Sequence, residues 1–131
     1  MGHTGGSAIA RTMYQALDGR HTPALAAQLD EASLLHLSGR SGLAGDFQGR
    51  KAVVGLLETM AEETGGTFHC APVISVTRED RATVLLGRVS ATRRGRHLDV
   101  VVRLAVTIGG GVLREAWLDW LEQSEVDEFW S

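Results

Sequence analysis

The sequence predicts an α+β domain in which helices gather on one side of a curved antiparallel sheet. Three observations carry this. Apolar residues recur at helical spacing in the first part of the chain, the period changes to strand-like alternation after Gly66, and the alternating segments are separated by short turn signals. The expected order is α-α-β-α-β-β-β-β-α.

Ser7 is placed to cap a first helix running to about Asp18, with Ile9, Met13, Ala16 and Leu17 as its apolar stripe and Gly19 at its exit. Thr22 and Pro23 start a second helix as N-cap and first helical residue, and Leu25 and Leu29 give it a buried side to about Asp30. "SLLHLS" (33–38) is too short for a helix and reads as a strand, followed by a glycine-rich loop. "RKAVVGLLETMAEE" (50–63) places Val53, Leu57, Met60 and Ala61 on one helical face before Gly65 and Gly66 stop it. Four strands follow, "TFHCAPVISVTR", "ATVLLGRVSATR", "HLDVVVRLAVTI" and "VLREAWLDWLE", with turns at Glu79–Arg81, Arg93–Arg96 and Gly109–Gly111. Ser124 with Asp127 three residues on predicts a last short helix carrying Val126, Phe129 and Trp130. Residues 1–6 are expected to be a flexible N-terminus and 7–131 a single domain, without repeats or linkers.

The chain has 131 residues, 44% of them hydrophobic and 22% charged, and 13 Lys and Arg against 16 Asp and Glu leave a net charge of −3. That is ordinary for one globular domain. The one basic cluster, "TRRGRH" (92–97), reads as a solvated hairpin tip, so no nucleic-acid partner is expected. Cys70 is the only cysteine, which excludes an internal disulfide and fits a reducing compartment. No stretch reads as a signal peptide or membrane span, and the expectation is a cytoplasmic protein with no membrane partner. His69, His97 and Cys70 lack metal-ligand spacing and read as structural, His3 and His21 as exposed, and no metal is expected. "GLAGDFQGRK" lacks phosphate-loop spacing, and no serine or cysteine sits in a nucleophile motif.

If Arg94–Gly95 form a two-residue hairpin, Leu85, Gly87 and Val89 share a wholly apolar face with Leu98, Val100, Val102 and Leu104. The opposite face carries Arg88, Ser90, Asp99 and Arg103 among Val84, Leu86 and Val101. A monomer rarely exposes such an apolar strip, so a homodimer is expected.

In "MYQALDGRHTPALAAQL", "LLHLSGRSGLAGDFQGRKAV" and "GGGVLREAW…VDEFW" the chain resembles the nuclear transport factor 2-like superfamily, within it the SnoaL-like and ketosteroid isomerase-like proteins. The resemblance implies a cone-shaped curved antiparallel sheet packed against three helices, with a central pocket. Ketosteroid isomerases pair a base carboxylate after the first strand with a tyrosine and a neutral aspartic acid as oxyanion donors. Counting along the matched segments puts His36 at the base position, Met13 at the tyrosine position with Tyr14 one residue off, and Val102 at the aspartic acid position. Without those donors the familiar steroid isomerase mechanism is not expected.

What remains is a histidine facing an apolar cavity, an environment that lowers an imidazole pKa and leaves it free to accept a proton. The resemblance therefore implies a cofactor-free isomerase or cyclase using His36 for acid–base chemistry on a small apolar, oxygenated, polyketide- or terpenoid-like molecule. Phe47 is read as a pocket wall or lid. On the last strand only one alternating set can face the pocket. A two-residue turn at Gly109–Gly110 turns Glu115, Trp117 and Asp119 inward, offering a carboxylate to orient His36. A three-residue turn through Gly111 turns Arg114, Ala116, Leu118 and Trp120 inward, offering a guanidinium and an indole. The candidate set is thus His36 and Asp119 as catalytic, with Tyr14, Phe47, Val102, Arg114, Trp117 and Trp120 as substrate-binding. The rival is a non-catalytic small-molecule-binding or dimerisation module. A third reading, an epoxide hydrolase-like enzyme, lacks its inward carboxylate pair.

Overall fold

A computed structural model describes residues 11–13, 15–17, 22–79 and 82–131, without the side chains of 72 and 74–79. Residues 11–13 and 15–17 are helical. Then follow α1 (Thr22–Ala26), β1 (Leu34–Leu37), β2 (Gly45–Gln48), α2 (Arg50–Glu63), β3 (His69–Glu79), β4 (Ala82–Arg93), β5 (Arg96–Gly109), β6 (Val112–Trp120) and α3 (Gln123–Trp130). Residues 1–6, the Ser7 cap, Ile9, Tyr14, the helix end at Asp18–Gly19, and His21 lie outside the described residues.

The strands form one six-stranded sheet in the order β2-β1-β6-β5-β4-β3. Two features differ from the expectation. The glycine-rich loop contains β2, whose "GDFQ" carries one apolar side chain and so gives no alternation to read. And β1 pairs in parallel with β6, the one parallel pair in the sheet.

The second helix also ends earlier than expected, at Ala26. The Gln28 carbonyl accepts the Leu113 N–H at 3.0 Å, and the buried Ser33 hydroxyl donates to the Leu113 carbonyl at 2.6 Å. The chain thus leaves the helix to meet β6 edge-on. In α2 the buried residues are Val53, Leu56, Leu57 and Met60, with Ala61 only half-buried. Neither Ser124 nor any other side chain caps α3. Asp127 instead accepts the Arg40 N–H at 2.8 Å and the Gln123 amide at 3.2 Å, which pins the 39–41 loop to α3. That approach is open only to glycine at 39: its φ is +126°, and a Cβ there would lie 2.5 Å from both Asp127 Oδ1 and Gln123 Nε2.

The Arg94–Gly95 hairpin is as expected, with φ of +51° and +78° and Arg93 paired to Arg96. Its register puts Leu85 opposite Leu104, Gly87 opposite Val102 and Val89 opposite Val100. That apolar face continues through Trp120, Leu118 and Ala116 of β6 to Leu37 and Leu35 of β1. It closes against Met13, Leu17, Leu25, Val53, Leu57, Met60, Phe129 and Trp130 from the helices. Met13, Leu35, Val102, Leu104 and Leu118 are 0% exposed, so the middle of this face is in direct contact with its neighbours and no water reaches it. Each such side chain contributes roughly 1.5–3 kcal/mol by leaving water.

Arg93 fastens the far end. Its side chain is 8% exposed; the guanidinium meets Glu63 at 2.8 Å and donates to the carbonyls of Phe129 and Ser131 at 3.1 and 3.0 Å. This joins α2, β4 and the end of α3.

Candidate functional site

The turn between β5 and β6 decides which side chains share the sheet's two faces. Gly109 pairs with Val112, so Gly110 and Gly111 form the two-residue loop, with φ of +62° and +76°. The pairing then steps from Ile108–Leu113 to Thr107–Glu115, leaving Arg114 unopposed as a bulge. Neither turn weighed for this hairpin is present, but the outcome matches the three-residue alternative: Ala116, Leu118 and Trp120 face the core, and Glu115, Trp117 and Asp119 face away.

His36 faces away with them. Leu35 and Leu37 on either side of it are core residues, so the alternation of β1 turns the imidazole to the outer face. The structure thereby corrects the expectation of a histidine in an apolar cavity. His36 is the fourth member of a cross-strand row, Val84–Ala105–Trp117–His36–Asp46, that runs from β4 across β5, β6 and β1 to β2. Its Nδ1 lies 2.6 Å from Asp46 Oδ1 and its Nε2 2.5 Å from Glu115 Oε2. The Trp117 indole stacks alongside at 5.7 Å between ring centroids and 24° between planes.

The imidazole is 27% exposed, Asp46 72% and Glu115 36%. The hydrogen bond to Asp46, followed by that to Glu115, raises the His36 pKa above its ordinary value, and desolvation opposes this only partly. The expected lowering is thus reversed in sign: carboxylates at both nitrogens outweigh burial. Both nitrogens are engaged by carboxylates of the same chain, and the ring holds its proton to higher pH than a free histidine does.

The remaining candidates are dispersed. Asp119 is not at His36; its carboxylate lies 3.9 Å from Arg103 in the adjoining row. Trp117 touches His36 on the outer face, whereas Trp120 is buried in the core, 6% exposed. Val102 is enclosed. Phe47 sits on β2 opposite Leu35, half-buried against the core edge. Arg114 reaches back to the Gly109 carbonyl and to Asp30 at 3.1 Å. Hydrogen bonds from the Ala32 backbone first, together with Arg114, hold the Asp30 carboxyl below the usual range. Sequence reasoning missed Asp46, and it offered Glu115 only within a set that could supply a carboxylate to His36, with Asp119 taken as the candidate. The signal for Asp46 is a pairing of 36 with 46 across a hairpin that the glycines concealed.

Elsewhere on the outer face Arg88 and Asp99 form a paired fork at 2.7 and 3.1 Å, which lowers the Asp99 pKa. Among the described residues the buried polar side chains are Ser33, Thr64, Thr83 and Arg93, and none is a carboxylate or imidazole aimed into the core. No group of histidine, cysteine and carboxylates among them is arranged to hold a metal, and no described helix is long and apolar enough to cross a membrane.

No protein-family model matches the sequence, and no curated protein matches it. Solved structures do. Bal32a, from a soil-derived mobile gene cassette, superposes with a TM-score of 0.90 at 28% identity, covering 98% of this chain and 98% of that one. A nuclear transport factor 2-like protein of Burkholderia pseudomallei gives 0.80 at 17% identity over 97% and 98%. A candidate SnoaL-like polyketide cyclase of Jannaschia gives 0.78 at 10% identity over 98% and 93%. The chain has the nuclear transport factor 2-like fold, shared with SnoaL-like and ketosteroid isomerase-like proteins.

Proposed function

We propose that this chain works by association, as a non-catalytic member of the SnoaL-like structural group whose working surface is the outer sheet face and whose partner there is a second copy of itself. The observation that carries this reading is the direction of His36. An isomerase or cyclase using it as a base needs a nitrogen lone pair open to a substrate, and both nitrogens instead meet carboxylates of the same chain. The likeness to a candidate polyketide cyclase supports the fold and, at 10% identity, no specific reaction.

A second copy suits the outer face on chemical grounds. Half-buried Leu86, Val101 and Trp117 form an apolar band on it. The band is flanked by charges of both signs, Arg88 with Asp99 and Arg103 with Asp119. A two-fold contact requires a self-complementary patch, and an apolar band bordered by mixed charges meets that requirement.

The test is the oligomeric state of wild type and Leu86→Arg by light scattering coupled to gel filtration, at concentrations of about 10–100 μM, in the range where weak dimers form. Leu86 is on the outer face, so the variant is expected to fold with a near-native melting temperature and to run as a monomer while wild type runs as a dimer. A monomeric wild type, or a variant as dimeric as wild type, overturns the proposal.

A further inference from the structure

We propose that His36 is a proton-operated latch for the edge strand β2: while the imidazole carries both its protons β2 is docked on β1, and loss of one proton lets β2 swing away. The inference stands whether or not the chain dimerises.

Geometry and hydrogen-bond chemistry carry it. An imidazolium donates from both nitrogens, whereas neutral imidazole donates from one and presents a lone pair at the other. With Asp46 2.6 Å from Nδ1 and Glu115 2.5 Å from Nε2, only the doubly protonated ring satisfies both. After deprotonation one carboxylate oxygen faces a lone pair at contact distance, a repulsive arrangement that must relax. Glu115 belongs to β6, which is paired on both sides by β1 and β5. Asp46 belongs to a strand of four residues that ends the sheet and is paired on one side only. The weaker attachment is the one that gives.

The strand is built to move as a unit. Gly45 at its start has φ of +145° and open space on its side-chain side, where a Cβ would meet nothing within 4 Å, and Gly49 just after its end has φ of +91°. Beyond Gly49 the chain is anchored separately: its N–H donates to the Ser33 carbonyl at 2.8 Å, and the Arg50 guanidinium donates to the Leu29 carbonyl at 2.6 Å. β2 therefore pivots at Gly49 without disturbing α2. Of its three side chains only Phe47 is half-buried, and Phe47 covers the core edge at Leu35. Undocking uncovers that edge and gives an apolar solute its way under the sheet rim.

The other groups near the ring are accounted for. β6 presents Glu115 and the Trp117 indole, β2 presents Asp46 with Gln48 one row away, and Arg103 on β5 is 3.9 Å from Asp119 in the adjoining row. The bonds to Asp46 and Glu115 raise the imidazole pKa, which moves the transition to higher pH than that of a free histidine.

Nuclear magnetic resonance reads strand and ring in one sample. Cross-strand contacts between 34–37 and 45–48 and the His36 ring carbon shift are followed from about pH 5.5 to about pH 9, a span that brackets ordinary histidine titration. The two are expected to change together, the docked-to-undocked ratio falling by up to about tenfold per pH unit above the transition. His36→Gln, whose donors sit on one terminal nitrogen while its other terminal atom is an acceptor oxygen, cannot donate to carboxylates on both sides and is expected to be undocked throughout while core methyl signals at Val102 and Leu104 stay native. Asp46→Ala, on the exposed side of the latch, is expected to undock β2 at low pH and return the ring toward its ordinary pKa. Contacts that persist after the ring has titrated, or a docked β2 in both variants, overturn the proposal.

Discussion

Leu113 and Ala116 lie three residues apart on β6 and yet point to the same side of the sheet, because the bulge at Arg114 between them absorbs the extra residue. Leu113 is 1% exposed and belongs to the core, while Arg114 is an exposed side chain on a half-exposed ion pair with Asp30.

That geometry predicts unequal costs for two adjacent truncations. Leu113→Ala is expected to destabilise the fold by about 2–5 kcal/mol, the range for emptying a packed aliphatic site. Arg114→Ala is expected to cost less than about 1 kcal/mol, since a surface pair contributes little. Urea unfolding of both variants checks this. A regular strand without the bulge would put Leu113 on the outer face and make its truncation the cheap one.

Arg93 is the second target. Replacing it with alanine leaves the Glu63 carboxylate and the carbonyls of Phe129 and Ser131 without their donor. Glu63 is 40% exposed and stays hydrated, so the expected loss is about 1–3 kcal/mol, the cost of leaving the buried carbonyl acceptors unpaired. Arg93→Lys is expected to recover only part of it, because an ammonium lacks the fork that reaches two elements at once. Equal stabilities of the alanine and lysine variants in thermal unfolding would refute the account.

The pH dependence of stability follows from His36. Its folded pKa is raised, so the folded state binds the proton more tightly than the unfolded chain does. The stabilisation is therefore fully present below about pH 6.5, the unfolded value, and is lost as pH rises through the raised folded value. Asp30 and Asp99 act in the opposite sense: their lowered pKa values contribute stability above about pH 3.9, the ordinary aspartate value, that is lost as pH falls. Their side chains are only about half exposed, at 41% and 44%, and they modulate only the acid limb. The difference in stability between wild type and His36→Gln, measured by denaturant titration at several pH values, is expected to shrink on going alkaline. A difference that grows with pH would show the sign to be wrong.

Most of the fold is legible in the order of residues alone. Long segments such as 82–93 and 97–108 keep a small or apolar residue at every second position, Leu85, Gly87, Val89 and Ala91 against Leu98, Val100, Val102 and Leu104, so one face is set by side-chain period, and the paired Arg94–Gly95 turn fixes their register. Helix α2 is equally legible from its spacing, with Leu56 rather than Ala61 completing the stripe. The short elements are not. "GDFQ" has too few apolar residues to declare a strand, and becomes one only because β1 offers it an edge to pair with. The direction of His36 likewise depends on long-range packing. Its period on β1 is plain, but the core side of a four-residue strand is known only once Leu35 and Leu37 have met Ala116 and Leu118 across the parallel pairing. The protonation of His36 requires more still, since it depends on Asp46 and Glu115 arriving from strands 10 and 79 residues away in the chain. Periodicity is a local property and survives in the sequence, whereas the charge on an imidazole is set by the carboxylates that folding brings to it.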